Sequence, residues 1–431
     1  MKVLLAFAGS RGDAQPGMLL GRELAERGHD VTVAVSPNLV EFTERHGVST
    51  VPFGVDSDEL LRAQRDDRRF RHPNPVQRVR AVVDLQRRGF AEAALDLLNL
   101  AEDSEVLVSG MACEEIAAEV ACQQDIPLAA MHFFPIRPSA AVPVVPAAWA
   151  RRLPPTLNRL GWQALTRARA AALASEITAF RTVGSAPECS SPCEIHGDGR
   201  FTEDPASYVA IQAYDPNLFP GLAEEIGPVP FTGFPVVTDA GAGIGGELGE
   251  WLIAGPAPVY AGFGSMPVAD PIAIESMVRE VGRRLGLRVL LVGKMFRERI
   301  SPDLAVVDQV DHRAVLPLCA AAVHHGGAGT TAAALRAGVP SVICSVQADQ
   351  PYWGRQIEAL GLGATAPFAG LTANRLERLL IRATAPEITL RAAAYGARFR
   401  DDGVRRAADV IESITPDRVV REVPTEIGGV R

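Results

Sequence analysis

Short apolar runs of strand length alternate with stretches of helical period along most of the chain. Lys2 to Ala8 is apolar and β-rich, Gly9-Ser10-Arg11-Gly12-Asp13 reads as a turn, and Pro16 is expected in the first turn of an amphipathic helix ending near Gly28. Asp30 to Val35 is the next strand. Val76 to Asn99 has helical period, and Glu105 to Ser109 and Pro127 to Phe133 read as buried strands on either side of a helix around Glu114 to Cys122. Tyr208 to Ile211 closes the first half. The pattern then repeats with strands at Pro258 to Ala261, Arg288 to Val292, Leu304 to Val307, the run entering at Ala321, and Leu362 to Ala366. Such alternation predicts an α/β fold of two Rossmann-like parallel-sheet domains.

Punctuation divides the pattern. Proline and glycine gather from Phe219-Pro220 through Phe234-Pro235, which places the junction near residue 230. The expected parts are residues 1–230, residues 231–405, and a last helix with a frayed tail over 406–431. With 431 residues the chain suits two domains. Asp56 to Arg71 is a charged run, read as a solvated helix or surface loop, and Gly241 to Gly249 is expected to loop out. From Met131-His132-Phe133-Phe134-Pro135 to Pro155 the period dissolves into prolines and small apolar residues, and the helix expected over Arg151 to Ile177 carries several arginines. That helix is a candidate for weak membrane-surface contact.

A formal net charge of −8, with Lys2 and Lys294 as the only lysines, argues against a nucleic-acid partner. The cysteines at 113, 122, 189, 193, 319 and 344 lack zinc-site spacing, so free thiols in a reducing cytoplasm are expected. The amino terminus reads as a core strand rather than a signal segment, and no apolar run has the length of a membrane span.

The densest chemistry lies between Ala321 and Gln350, AAVHHGGAGTTAAALRAGVPSVICSVQADQ. A strand ends in His324 and His325, a loop with Gly326, Gly327 and Gly329 follows, and Thr330 and Thr331 open a helix. Glycines permit close backbone approach, and the N–H groups at a helix start favour an anion, with phosphate the usual one. A nicotinamide dinucleotide fits the first turn poorly. Its spacing is Gly9-x-x-Gly12, and the second strand ends Val35-Ser36-Pro37-Asn38 without an acid.

The string His-Gly-Gly-Ala-Gly-Thr-Thr, then Gly-Val-Pro, then Asp349-Gln350 resembles the nucleotide-sugar signature of family 1 glycosyltransferases, two-domain enzymes of the GT-B type. GSRGDAQP resembles the first loop of the branch that includes sterol and glycopeptide-antibiotic glucosyltransferases. The resemblance implies two domains facing across a cleft, with Asp13 as catalytic base and Ser10, Arg11 and Gly12 supporting its loop. It implies that Ser265, His325, Gly326, Gly327, Gly329 and Thr330 hold the donor diphosphate. Asp349 and Gln350 would hold the donor sugar and the backbone around Val310 the base. Many relatives place a ribose-binding glutamate where this chain has Ala333, so a uridine and a thymidine diphosphate sugar both remain open.

The implied reaction is inverting hexosyl transfer without a metal or other cofactor, from the nucleotide sugar to a hydroxyl of an apolar small molecule or lipid. Alternatives are a catalytically idle donor-binding partner, against which the retained Asp13 argues, and a sugar-nucleotide epimerase of the same architecture. As a bare residue, Asp13 reads first as a helix N-cap, and His132 as a satisfied structural histidine rather than a second catalytic base.

Overall fold

The computed structural model describes residues 1–72, 74–183, 208–238, 244–264 and 270–414. Strands β1 (Lys2–Phe7), β2 (Asp30–Val35), β3 (Thr50–Pro52), β4 (Val106–Gly110), β5 (Leu128–His132) and β6 (Tyr208–Gln212) form a sheet of order β3-β2-β1-β4-β5-β6. All its pairings are parallel. Strands β7 (Val259–Gly262), β8 (Val289–Val292), β9 (Arg299–Ile300), β10 (Leu304–Val307), β11 (Ala321–His324), β12 (Ser341–Ser345) and β13 (Gly363–Pro367) form a second sheet, ordered β13-β12-β11-β7-β8-β10-β9. There only the β9–β10 pair is antiparallel. Strands β4, β5, β7, β8, β11 and β12 are buried along their whole length, which is why they read as continuous apolar runs. Strand order reverses between β1 and β4 and between β7 and β11. In such sheets a ligand lies beyond the carboxyl ends of the strands at these reversals.

Several expectations change in the folded chain. The first helix spans Arg11–Glu26, so Pro16 lies inside it rather than in its first turn. The helix begins early because Ser10 and Asp13 form a capping box at its start: Ser10 is the cap and Asp13 the third helical residue, not the cap itself. The run from Val76 to Asn99 is two helices, Pro75–Arg87 and Phe90–Ala101, parted at Gly89, whose φ of 74° suits glycine. The charged segment is a helix, Ser57–Asp66, followed by a short 3-10 turn, Arg68–Arg71. Part of the expected glycine loop is helical over Gly246–Ile253, where burial of Trp251 and Leu252 outweighs glycine content. Phe231 pairs with Gln212, so the first sheet's pairing continues up to the expected junction.

The last helix starts at Gly403, ahead of residue 406, and runs to Ile414. It crosses back to the first half, where Ala407, Ala408 and Ile411 share a core with Phe7, Met18 and Leu20. Arg27 clamps it, donating to Asp409 and Glu412, each at 2.8 Å. A second seam between the halves is aromatic. Phe134, Trp162, Tyr214 and Phe219 from the first half pack in one cluster with Phe234, Ile343 and Trp353, and Tyr352 lies 4.7 Å from Phe134.

Cys113, Cys319 and Cys344 are buried free thiols, whereas Cys122 belongs to a disulfide, which corrects the expectation for that residue. Scatter along a sequence does not report proximity in space. Cys189, Cys193, Ser265, residues 241–243 and the tail from 415 lie outside the described residues.

Candidate active site

Each half contributes loops at its strand ends. After β1, Gly9 has a φ of 128°, and a Cβ there would sit 2.5 Å from Asp13 Oδ2, so the turn requires glycine. The Ser10 N–H and hydroxyl donate to that same Oδ2 at 2.8 and 2.9 Å. One carboxylate oxygen is thereby anchored in half-buried surroundings, and the geometry holds the side chain still. Burial raises the Asp13 pKa, and the Ser10 hydrogen bonds only partly offset it. Gly12 is exposed beside it, and the Arg11 guanidinium lies over the Phe42 ring at 4.7 Å.

In the second half, β11 delivers His325 between two glycines. A Cβ at Gly264 would lie 3.0 Å from its Cε1, and one at Gly327 would lie 2.6 Å from its Nε2. The glycines therefore make room for the imidazole as well as for a ligand. His324 Nδ1 accepts from the Gly326 N–H at 3.1 Å and shapes the loop, a role that sequence reading missed and the His-His doublet alone could have suggested. Gly327 caps the helix Ala328–Ala337, so the N–H groups of Ala328, Gly329 and Thr330 have no partner within it. Two more polar atoms at this helix start, His325 Nδ1 and Thr331 Oγ1, are buried without a hydrogen-bond partner. A cluster of that kind demands an explanation, and a bound anion supplies one. Burial and the neighbouring His312 lower His325 to about 4, so its imidazole is neutral at pH 7.

After β12 the turn from Val346 to Gln350 is tightly specified. The Gln350 amide oxygen accepts from the N–H groups of Val346 and Gln347 at 2.9 and 3.3 Å, which leaves the amide nitrogen to donate outward. Asp349 Oδ2 accepts from the Trp353 indole at 2.9 Å. Burial, with the nearby charge of Asp13, pushes the Asp349 carboxyl up to about 6 against that hydrogen bond. Asp13 and Asp349, from opposite halves, thus lie near enough for the charge of one to bear on the other. Arg11 likewise bears on His312, which burial and that guanidinium lower to about 4 while its Nε2 meets the Tyr260 hydroxyl at 2.8 Å. Val310 is half-buried on the loop after β10. At the rim Gln64 donates to Gln347 across the cleft at 2.8 Å.

His132 stands apart from this group. It is 2% exposed, 3.1 Å from Glu114 and 3.3 Å from the Gln212 amide. Burial opposes ionisation of Glu114, but His132 and the Tyr208 hydroxyl outweigh it and hold the carboxyl at about 2. His132 is a satisfied buried histidine.

Two Rossmann-like domains, one carrying an anion-ready helix start and the other an anchored carboxylate at their strand ends, have the architecture of a GT-B protein. The chain matches the glycosyltransferase family 28 N-terminal domain over residues 3–109 and the erythromycin biosynthesis protein CIII-like C-terminal domain over residues 294–422. It is 35% identical over 422 residues to an uncharacterized glycosyltransferase of Mycobacterium tuberculosis, covering 96% of this chain and 98% of that one. It is 29% identical to the vancomycin aglycone glucosyltransferase of Amycolatopsis orientalis, with 99% of each covered. Among solved structures, the calicheamicin glycosyltransferase CalG4 shares the fold at a TM-score of 0.69 and 17% identity, over 96% of this chain and 98% of that one. The glycosyltransferase VinC, solved with dTDP, does so at 0.62 and 19%, over 96% and 100%. The chain belongs to the family 1 GT-B glycosyltransferases.

Proposed function

We propose that the protein transfers a sugar, with inversion, from a uridine or thymidine diphosphate sugar to a hydroxyl of an apolar acceptor. The observation that carries this reading is the combination of the unpartnered His325 Nδ1, Thr331 Oγ1 and helix-start N–H groups at a strand end of the second half with the Ser10-anchored Asp13 at a strand end of the first. The dTDP bound by VinC supports a nucleotide donor.

In this reading Asp13 takes the acceptor proton as the hydroxyl oxygen bonds to the anomeric carbon and the bond to the diphosphate breaks. An alcohol is too weak an acid to be deprotonated beforehand, so proton and sugar move together, and the burial that raises Asp13 improves the match. The departing charge falls on the N–H groups of Ala328, Gly329 and Thr330 and on His325, with Ser265 as a further contact. Asp349 and the Gln350 amide orient the sugar, the backbone around Val310 receives the base, and the phosphate needs no cation.

The acceptor is apolar because the segment beside the cleft is. Between Ile126 and Ser175 there is no acidic residue, and Val145, Trp149, Leu157 and Leu160 are 40 to 59% exposed. Arg152 and Arg167 lie exposed among them, which favours weak contact with an anionic lipid surface. Incubation with UDP- and dTDP-sugars and a panel of hydroxylated aglycones, read by mass spectrometry, tests the proposal. A product heavier than the aglycone by one sugar supports it. Donor binding with neither transfer nor hydrolysis would indicate an idle donor-binding protein, and an altered sugar nucleotide without transfer would indicate an epimerase.

A further inference from the structure

We propose that Trp353 is a positioning residue: its indole N–H fixes one oxygen of Asp349, so that the other is presented to the donor sugar, and its ring ties that carboxylate to the first half of the chain. The inference rests on the reading of Asp349 as a sugar contact. Trp353 is fully buried, and Nε1, which donates and cannot accept, meets Asp349 Oδ2 at 2.9 Å. Asp349 is the N-cap residue of the helix Gln350–Ala359, and its side chain makes no capping hydrogen bond, so the indole is what holds it. The ring is itself held. Its centroid lies 5.4 Å from Phe219, 5.7 Å from Phe234 and 6.0 Å from Phe134, a cluster that spans both halves.

The turn carrying Asp349 is constrained further. Ala348 has a φ of 53°, a left-handed conformation unfavourable for a residue with a Cβ, and it persists where surrounding contacts over-determine the backbone. Gln350 and Trp353 are those contacts, one on the backbone of the turn and one on its functional side chain. A tryptophan that only filled space would be replaceable by phenylalanine. One that orients a carboxylate would not.

The test compares wild type with Trp353→Phe in the affinities of UDP-glucose and dTDP-glucose relative to UDP and dTDP, from about pH 5.5 to about pH 8.5. Asp13, from the first half, is the charged group that bears on Asp349. Losing the indole donor raises the pKa of Asp349 further, so the gain in affinity due to the sugar should fall by about tenfold near pH 7 and return at the alkaline end. In an Asp349→Ala background, where the indole has no side-chain oxygen to hold, Trp353→Phe should cause no further loss. Equal loss for diphosphates and sugar nucleotides, with no movement of the pH limb, overturns the proposal and leaves Trp353 as packing. If Asp349→Asn alone leaves the sugar-dependent gain intact, the reading of Asp349 fails first, and the two failures are told apart. Should the phenylalanine variant not fold, benzothienylalanine placed at position 353, which keeps the bicyclic ring without the donor, reads the same quantities.

Discussion

Replacing Asp349 by asparagine is expected to stabilise the protein while impairing it, because the carboxylate is kept where its ionisation is opposed. Burial and the charge of Asp13 move its pKa from 3.8 to about 6. At 1.36 kcal/mol per unit the ionised group would destabilise the fold by about 3 kcal/mol at most. Asparagine retains an oxygen for the Trp353 N–H but loses the attraction of an anion to the helix start, about 0.3–1 kcal/mol, so a net gain of about 2 kcal/mol is expected. The sign follows from proton binding. Between pH 3.8 and about 6 the folded chain holds a proton that the unfolded chain releases, so wild type gains stability as pH falls through that window, and the variant has no such gain. Thermal melts of both proteins should therefore differ by roughly 4 to 8 °C above about pH 6.5, the variant melting higher, and converge near about pH 4. A variant that melts lower at neutral pH, or a gap that does not change with pH, refutes the argument.

His325→Ala should weaken nucleoside-diphosphate binding by about 1.5–3 kcal/mol, the worth of one hydrogen bond to a charged group, as read by calorimetry. Gly327→Ala should do the same with His325 present, because the added Cβ would lie 2.6 Å from its Nε2 and must displace it. Transfer should persist in EDTA without added magnesium, since helix-start N–H groups and His325 answer the phosphate charge; activity abolished by EDTA and restored by magnesium would count against this. Flotation with vesicles of anionic and of neutral lipid should show weak binding to the anionic ones only, reduced by Arg152→Gln with Arg167→Gln.

The fold was legible because buried parallel strands read as continuous apolar runs and because glycine and proline mark their ends. The Ala321 to Gln350 stretch and the GSRGDAQP loop both carried their resemblance in the order of residues, and the loop in each follows a strand beside the reversal of strand order in its own sheet. The capping box was also legible, as Ser10-x-x-Asp13, but Pro16 suggested a later helix start. Other features needed three dimensions. No pattern announces that Gly264, far from Gly327 in sequence, flanks the same imidazole, or that Trp353 reaches back to Asp349 from inside an aromatic seam. The disulfide at Cys122 was hidden for the same reason, since its pairing depends on where the chain returns.

In the proposed reaction Asp13 acts on the acceptor and the second half holds the donor. Transfer by Asp13→Asn, measured beside its donor affinity, tests it most directly. Asparagine keeps the shape and an oxygen for the Ser10 N–H and hydroxyl, so the helix start and the fold should survive. Donor affinity should stay within a few-fold of wild type while the transfer rate falls by about 100- to 10,000-fold, the usual contribution of a general base. A folded Asp13→Asn protein that keeps more than about a tenth of the wild-type rate would contradict that role and reduce Asp13 to its part in the capping box.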